Sequence, residues 1–195
     1  LTWVIALLIP NTKLKTVQAT EQGIWRSLLN VEVIAFLMVY LLLQIAHTPY
    51  YVFYSVLLKL HGYSEVTTSL LWSLGVGSEI LIFLCAQRFL NFWSLRSILL
   101  ISIFLSALRW FVIPRYVDIL WIMLIAQLLH AASFGTSHIV AVQLVQKFFG
   151  SHPAKGQGLY SSISFGIGGM IGGYYSGNVW KQFGPQAVFD LAAGC

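Results

Sequence analysis

The stretch Val66–Gln87, VTTSLLWSLGVGSEILIFLCAQ, contains a single formally charged residue, Glu79, in an otherwise uncharged run that is long enough to cross a bilayer as a helix. At 1.5 Å per residue, Glu79 lies roughly 21 Å along the axis from Glu65 and roughly 14 Å from Arg88, near the middle of the hydrocarbon layer. An ionisable residue at that depth is costly unless it faces a wet cavity or a partner, so the stretch indicates an ion or solute pathway. A protonated acid that is hydrogen-bonded to a neighbouring helix is the structural alternative.

The composition of the whole chain indicates an all-α integral membrane protein. Of its 195 residues, 58% are apolar and 9% are charged, whereas soluble domains are roughly 25% charged. The net charge of +5 comes from bases scattered singly through the connections, so no nucleic acid partner is expected. The two cysteines, Cys85 and Cys195, form neither a disulfide framework nor a metal-ligand pattern, and we expect no metal and no cofactor.

The distribution of charges along the chain predicts the membrane spans. The expected organisation is the end of a preceding transmembrane helix at residues 1–10, a central cytoplasmic loop at residues 11–30, and a bundle at residues 31–195 with five full spans and the start of a sixth. The five spans are Glu32–Lys59, Val66–Gln87, Ser97–Pro114, Ile119–Gln146 and Gly156–Trp180, and the sixth begins at Pro185. The abrupt ends predict an internal piece of a longer polypeptide. The base-rich connections 11–30, 87–97 and 147–155 are expected to be cytoplasmic.

The first full span carries polar side chains at spacings of four, three, four and three residues, which place them on one helical face. They are predicted to line a solute cavity and comprise Tyr40, Gln44, His47, Tyr51 and Tyr54. Tyr50 and Tyr63 are assigned instead to an aromatic belt at the lipid headgroups.

The fourth span places Gln127, His130 and Ser137 along one face, with His138 about 80° away around the helix. Gln127, Ser137 and His138 are predicted to line the cavity, and His130 lies at a depth close to that of Glu79. A buried histidine that only satisfies hydrogen bonds and a histidine in a proton relay both fit this pattern. Arg109 in the third span fits either a buried ion pair or a side chain that extends to the interface.

The fifth span is rich in glycine and serine. The pairs Gly168/Gly172 and the series Gly169/Gly173/Gly177 are spaced four residues apart, which allows close approach of a neighbouring helix. Static packing and gliding of this helix during a conformational change are both consistent with the spacing.

Several motifs together resemble a known family. They are AHTPYYVFYSVLLKLHGYSEVTTSLLWSLGVGSEILIF (Ala46–Phe83), LRW (Leu108–Trp110), AQLLHAASFGTSH (Ala126–His138) and GQGLYSSISFGIGGMIGG (Gly156–Gly173). The chain is similar, from its first full span onward, to the C-terminal half of 3-phenylpropionate-type transporters. These are major facilitator superfamily proton symporters related to lactose permease.

The resemblance implies the C-terminal six-helix half of a twelve-helix fold, truncated at both ends, which alternates access around a central cavity. It also implies proton coupling by Glu79, Arg109 and His130, because such symporters use a Glu in the eighth helix, an Arg in the ninth and a His–Glu pair in the tenth. The sequence departs from that pattern at Ser133, where the second acid of the pair is expected. This departure places the coupling role on Glu79.

The function expected from the sequence is proton-coupled symport of a small organic solute, with an aromatic acid such as 3-phenylpropionate as the first candidate and a sugar or nucleoside as the alternative. The expected partners are the solute, protons, the lipid of an inner (cytoplasmic) membrane and the missing N-terminal half. An ion or metal channel module using His47, His130, His138 and Glu79 is a weaker alternative, since histidines eight residues apart on a helix form a poor ligand shell. An enzyme is not expected, because no nucleophile is paired with a base in a recognisable motif.

Overall fold

A computed structural model describes residue 7 and residues 28–150 and 152–195, and every regular element in this part of the chain is helical. The all-α fold predicted from the composition is confirmed. The predicted helix end at residues 1–10 and the predicted loop at residues 11–30 lie outside the described residues, apart from residue 7 and residues 28–30.

The helices follow the predicted spans to within a few residues. In chain order they are α1 (Val31–Leu60), α2 (Glu65–Leu84), α3 (Ala86–Phe92), α4 (Leu95–Arg115), α5 (Leu120–His130), α6 (Thr136–Phe149), α7 (Pro153–Ser161) and α8 (Gly169–Gly194). Two π-helical turns, Ala131–Gly135 and Ser162–Gly168, join α5 to α6 and α7 to α8.

Four helical stretches in the described part of the chain are long and apolar enough to cross a membrane: α1, α2, α4 and the continuous run Leu120–Phe149. The glycine-rich fifth predicted span is helical from Pro153 onward but is not among these four. Membrane character therefore rests on the four apolar stretches.

Local sequence determines where three of these helices begin. The side chains of Asn30, Ser64 and Ser94 each accept a hydrogen bond from a backbone N–H in the first turn of the helix that follows. Such caps satisfy donors that the helix itself leaves unpaired. The turn between α1 and α2 uses Gly62 at φ 79°, a left-handed conformation that glycine adopts without strain.

The buried core consists of two apolar clusters with polar side chains between them. One cluster contains the beginning of α1 and α4 and the end of α6, and the other contains the end of α1 and α4 and the beginning of α5. The buried polar residues lie along the same helices between the two clusters, and they include His47, Ser106, Arg109, Gln127, His130 and Ser137. The polar layer thus lies at mid-depth, where the sequence predicted the solute pathway.

Glycines bring the fifth predicted span against α1. A Cβ added to Gly172 would lie 2.7 Å from Thr48 Cβ and 3.0 Å from the carbonyl oxygen of Ile45. That carbonyl has no helical N–H to accept from, because the residue four positions later is Pro49. A side chain at position 172 would therefore separate the helices.

The predicted glycine spacing is partly reflected in this packing. Gly168, like Gly172, approaches α1 closely, with a Cβ position 3.0 Å from the carbonyl oxygen of Leu41. Around Gly169 and Gly177, by contrast, a Cβ would meet nothing within 4 Å among the described residues. The Gly168/Gly172 pair is therefore the packing stripe, and gliding of the helix stays a prediction.

The run from Gly169 to Gly194 is broken once. Gly184 adopts φ 81° and ψ 179°, and Pro185 follows it. The segment after the break is fixed to the end of α4 by Arg115, whose guanidinium donates to both carboxylate oxygens of Asp190 at 2.6 and 2.9 Å. A separate helical segment thus begins at Pro185, and its assignment as the start of a sixth span stays a prediction.

Polar contacts hold the connections at this end of the bundle together. His61 Nδ1 lies 2.6 Å from a carboxylate oxygen of Asp118, and the Tyr63 hydroxyl donates to the carbonyl of Val117 at 2.7 Å. Burial, with Asp118 nearby, raises the pKa of Tyr63 above its ordinary value, so its hydroxyl stays a donor at physiological pH. The α1–α2 and α4–α5 connections therefore form one bonded unit.

Candidate functional site

Three of the predicted coupling residues form a continuous set of hydrogen bonds, which we call the charged triad: Arg109 on α4, His130 at the end of α5 and Glu79 on α2. Arg109 Nη1 lies 2.8 Å from His130 Nδ1, and His130 Nε2 lies 2.7 Å from Glu79 Oε1. The His130 and Glu79 side chains are 5% and 16% exposed, respectively, so the triad is largely shielded from solvent.

The geometry of the triad determines which nitrogen of His130 carries the proton. A guanidinium can only donate, so Nδ1 of His130 must accept the hydrogen bond from Arg109. The ring is then neutral, and its proton lies on Nε2, which donates to the Glu79 carboxyl group. In this arrangement Glu79 is the member of the triad that has an oxygen free to take up a proton.

Arg109 is buried at 1% exposure rather than extended to the membrane interface. Of the two alternatives that the sequence left open for this residue, extension to the interface is wrong. Its Nε donates to the carbonyl of Ala126 at 2.8 Å, and its guanidinium carbon lies 4.8 Å and 4.7 Å from the ring centres of Tyr50 and Trp110. Aromatic faces of this kind stabilise a cation in a site with few counter-charges.

Ser133 occupies the position at which the family pattern places a second acid. Its hydroxyl oxygen lies 3.3 Å from Arg109 Nη1 and donates to the carbonyl of His130 at 3.1 Å. A neutral hydroxyl therefore contacts the guanidinium where a carboxylate is expected. Glu79 is left as the carboxyl group of the triad.

Tyr50 is the main residue that the sequence interpretation placed wrongly. The sequence predicts Tyr50 in the headgroup belt, but Tyr50 is 0% exposed, and its ring lies 5.1 Å from that of His130. Its hydroxyl donates to Gln127 Oε1 at 2.8 Å. Tyr50 follows Pro49 and lies three residues after His47, and this i, i+3 spacing was the available signal that it faces the same neighbours as the cavity face.

A glycine on α2 makes room for this arrangement. A Cβ at Gly75 would lie 2.9 Å from Gln127 Oε1 and 3.7 Å from His130 Cδ2. Gly75 therefore lets α2 approach α5 closely enough for Glu79 to contact His130, one helical turn further along α2. The neighbouring Gly77 has nothing within 4 Å of its Cβ position among the described residues.

The predicted cavity residues fall into separate groups. Five of them line one open pocket, which we call the aromatic pocket, with about 250 Å³ of empty space counted out to its open side. The residues of this pocket come from α1, α5–α6 and α7–α8, and they are Tyr40, Leu43, Gln44, His47, Phe134, Ser137, His138, Tyr160, Ser164 and Phe165.

The other predicted cavity residues lie elsewhere. Tyr54 and Gln127 are fully buried near the charged triad, and Tyr51 is 39% exposed, with its ring centre 6.2 Å from that of His130. The polar face of α1 is thus continuous in sequence, but its first three residues line the aromatic pocket and its last two lie near the charged triad. Its role as a single cavity lining stays a prediction.

The aromatic pocket has ring walls and few free polar groups. The rings of Tyr40 and Tyr160 meet edge to face with centres 5.4 Å apart, and the rings of Phe134 and His138 stack with centres 6.3 Å apart. Tyr40 donates its hydroxyl to the carbonyl of Ser137 at 2.7 Å. None of the residues that line the pocket carries a formal charge with histidine neutral.

Both π-helical turns contribute residues to the pocket wall. Phe134 belongs to the turn Ala131–Gly135, and Ser164 and Phe165 belong to the turn Ser162–Gly168. Wide turns of this type inside α-helices are frequent at functional sites. The spacing of residues in the sequence did not predict either turn.

The described residues contain no group of three or more His, Cys, Asp and Glu side chains that could hold a metal ion. His47 lies against Trp110, and His138 lies beside Phe134, so two of the histidines proposed for a channel are surrounded by rings. These surroundings give no support to the metal channel alternative.

Known proteins similar to this chain belong to one family of transporters. The sequence profile of the MFS_1 like family matches residues 2–191. The chain is 30% identical over 151 residues to a protein of Escherichia coli (strain K12) named "Probable 3-phenylpropionic acid transporter"; the match covers 77% of this chain and 40% of that protein. The chain therefore spans less than half the length of the curated relative it matches. No solved structure matches the chain.

Proposed function

Since the chain belongs to the MFS_1 like family of the major facilitator superfamily, we propose that it is the C-terminal half of a proton-coupled symporter for a small organic solute. The proposed solute is an aromatic acid of the 3-phenylpropionate type. The proposed partner is an N-terminal half that closes the solute cavity, and the proposed location is a cytoplasmic membrane. The proposal extends the family membership, which the sequence motifs predicted and the profile match confirms.

The observation that carries the proposal is the charged triad. A carboxyl group, an imidazole and a guanidinium bonded in sequence within the apolar part of a membrane protein are expensive to maintain. Packing alone would favour apolar side chains of similar volume at these positions. A proton pathway gives such a set of residues a function.

The geometry supports a specific coupling step. While Glu79 is ionised, it accepts a charge-assisted hydrogen bond from His130 Nε2, which holds α2 against α5. A proton that binds the Glu79 carboxyl group removes that charge and weakens this contact. Proton binding can thus change the relative stability of two helix arrangements, which alternating access requires.

Two observations support an aromatic acid as the solute. The aromatic pocket has ring walls suited to stacking against a flat ring. The Escherichia coli relative is named for transport of 3-phenylpropionic acid. Sugars and nucleosides should be tested in the same uptake screen. Saturable uptake of a sugar or a nucleoside, without uptake of aromatic acids, would identify that class as the transported solute instead.

The test is Glu79→Gln in the full-length protein, reconstituted into vesicles with an imposed pH gradient. Glutamine keeps the size and hydrogen bonding of the neutral acid but cannot release a proton. We expect accumulation of labelled 3-phenylpropionate to be abolished while exchange of solute across the membrane persists. Glu65→Gln is the matched control, because Glu65 begins the same helix with a 93% exposed side chain and should leave accumulation unchanged.

Two results would count against the proposal. Accumulation by Glu79→Gln that matches wild type would show that Glu79 is structural. Metal-dependent flux without saturation would favour the channel alternative.

A further inference from the structure

The aromatic pocket contains two buried polar atoms that have no hydrogen-bond partner among the residues the structure describes. They are Nε2 of His47, a residue 1% exposed, and the hydroxyl oxygen of Ser164, a residue 2% exposed. Buried polar groups are nearly always hydrogen-bonded, so each such atom calls for an explanation. Both residues line the same pocket, although they belong to different helical elements.

The geometry of His47 determines what its free nitrogen can bind. Its Nδ1 lies 2.8 Å from the carbonyl oxygen of Leu43, and because a carbonyl can only accept, Nδ1 carries the ring proton. In a neutral ring, Nε2 then holds the lone pair. His47 therefore offers an acceptor to the pocket, whereas the Ser164 hydroxyl can donate or accept.

The other hydroxyl groups of the wall on α1 and α6 are already occupied. Tyr40 donates to the carbonyl of Ser137, and Ser137 donates to the carbonyl of Phe134. The space that the pocket walls enclose has room for a group about the size of one water molecule, and the rest of the empty space is open to one side. This size fits a hydroxyl group and is too small for a carboxylate.

We propose that His47 and Ser164 form a subsite for a hydroxyl group on the ring of the transported solute. The solute hydroxyl donates to His47 Nε2 and accepts from the Ser164 hydroxyl, while its ring lies among the aromatic side chains. The wall carries no formal charge, so the carboxylate of the solute points away from the enclosed space. The inference rests on the proposed function, and it makes His47 a residue that determines specificity.

The experiment measures competition in the full-length protein. Uptake of labelled 3-phenylpropionate is inhibited either by unlabelled 3-phenylpropionate or by its analogues with one hydroxyl at the meta or para position of the ring. We expect at least one hydroxylated analogue to compete about 3- to 10-fold better in wild type, the range that one hydrogen bond supplies. In His47→Leu and in Ser164→Ala, this ratio should fall toward one.

Ser176→Ala is the matched control. Ser176 is a buried serine on α8 that donates to the carbonyl of Gly173 and does not line the pocket, so its ratio should equal that of wild type. Because the readout is a ratio within one preparation, lower expression of a variant does not affect it. If His47→Leu gives no uptake, Ser164→Ala provides the same comparison.

The outcomes separate the inference from the proposed function. Uptake of 3-phenylpropionate with no preference for a hydroxylated ring, or with a preference that both variants retain, would overturn the subsite and leave the symporter standing; a resident water molecule would then account for the two atoms. Absence of uptake of any aromatic acid by wild type would overturn both.

Discussion

The charged triad and the aromatic pocket lie on the same helices but differ in how their polar groups are satisfied. In the triad, each residue bonds the next, and Nη2 of Arg109, which has no hydrogen-bond partner among the described residues, belongs to a guanidinium that lies over the rings of Tyr50 and Trp110. In the pocket, two polar atoms face open space among aromatic rings. The contrast indicates two roles, since the triad residues bond mainly to one another whereas the pocket presents unpaired polar atoms from two separate helical elements to one open space.

The largest expected effect comes from opening the triad at its cationic end. Arg109→Gln removes the donor that keeps His130 Nδ1 unprotonated, so the imidazole can compete with Glu79 for the proton. We expect loss of proton-driven accumulation, together with a loss of about 3–5 kcal/mol in stability from the broken buried network. Vesicle uptake and thermal unfolding in detergent measure the two effects.

Arg115→Gln is the control for that variant. Arg115 lies on the same helix, but its ion pair with Asp190 is partly exposed, so solvent screens it and its loss should have little effect on stability. If Arg109→Gln accumulated solute as well as Arg115→Gln does, the guanidinium would only fill space and the triad would not be a coupling unit.

A smaller effect is expected from crowding the triad without removing any of its members. Gly75→Ala places a methyl group 2.9 Å from Gln127 Oε1, so either the Gln127 amide, which accepts from Tyr50, or α2 must shift. Overpacking of this kind costs about 1–3 kcal/mol. Gly77→Ala is the control, because its added methyl group meets no described atom within 4 Å and removes backbone freedom, so it should be neutral or stabilise by up to about 1 kcal/mol. Equal melting temperatures for the two variants would show that α2 does not need the close approach.

The corresponding change beside the pocket should have a milder effect on stability. Gly168→Ala brings a methyl group to 3.0 Å from the carbonyl oxygen of Leu41 and 3.1 Å from Gln44 Cβ. We expect a cost of about 1–2 kcal/mol and a higher KM for solute, since Gln44 lines the pocket. Gly169→Ala, whose Cβ position is open, should leave KM unchanged. A change in proton coupling rather than in KM would contradict the separate roles of the charged triad and the aromatic pocket.

The smallest expected effect is that of Tyr50→Phe. The variant removes the hydroxyl that donates to Gln127 but keeps the ring under Arg109, so stability should fall by only about 0.5–1.5 kcal/mol. Accumulation should persist at a reduced rate, as measured in vesicles. Complete loss of accumulation would instead make the hydroxyl group a member of the proton pathway.

The sequence was informative where single residues interrupt a uniform pattern. The charges that delimit the spans lie within a few residues of the helix ends, and the sequence indicated that Glu79 and His130 lie at similar depth; the structure adds that they are in contact. The profile match confirms the superfamily that the motifs indicated. The span limits and the depth of Glu79 follow from the free-energy cost of placing a charged side chain in lipid, because this cost allows few other positions for such residues.

The sequence was less informative where the answer depends on side-chain partners. Tyrosine suits both a headgroup belt and a buried ring stack, so Tyr50 was assigned by frequency rather than by its neighbours. The π-helical turn at residues 131–135 also changes the register between His130 and His138, and a helical wheel with a constant angle cannot show that. Phe134 of this turn lines the aromatic pocket, so the sequence did not predict that part of the pocket wall.

The packing of α1 against α8 has a consequence for biosynthesis. α8 begins about 110 residues after α1 ends, so at a synthesis rate of about 5–20 residues per second, α1 is made roughly 5–20 s before its principal neighbour. During that interval the Gly168/Gly172 stripe is not yet available to cover Thr48 and the open carbonyl of Ile45. We therefore expect nascent α1 to stay in contact with the insertion machinery or with helices made earlier until the glycine-rich helix arrives.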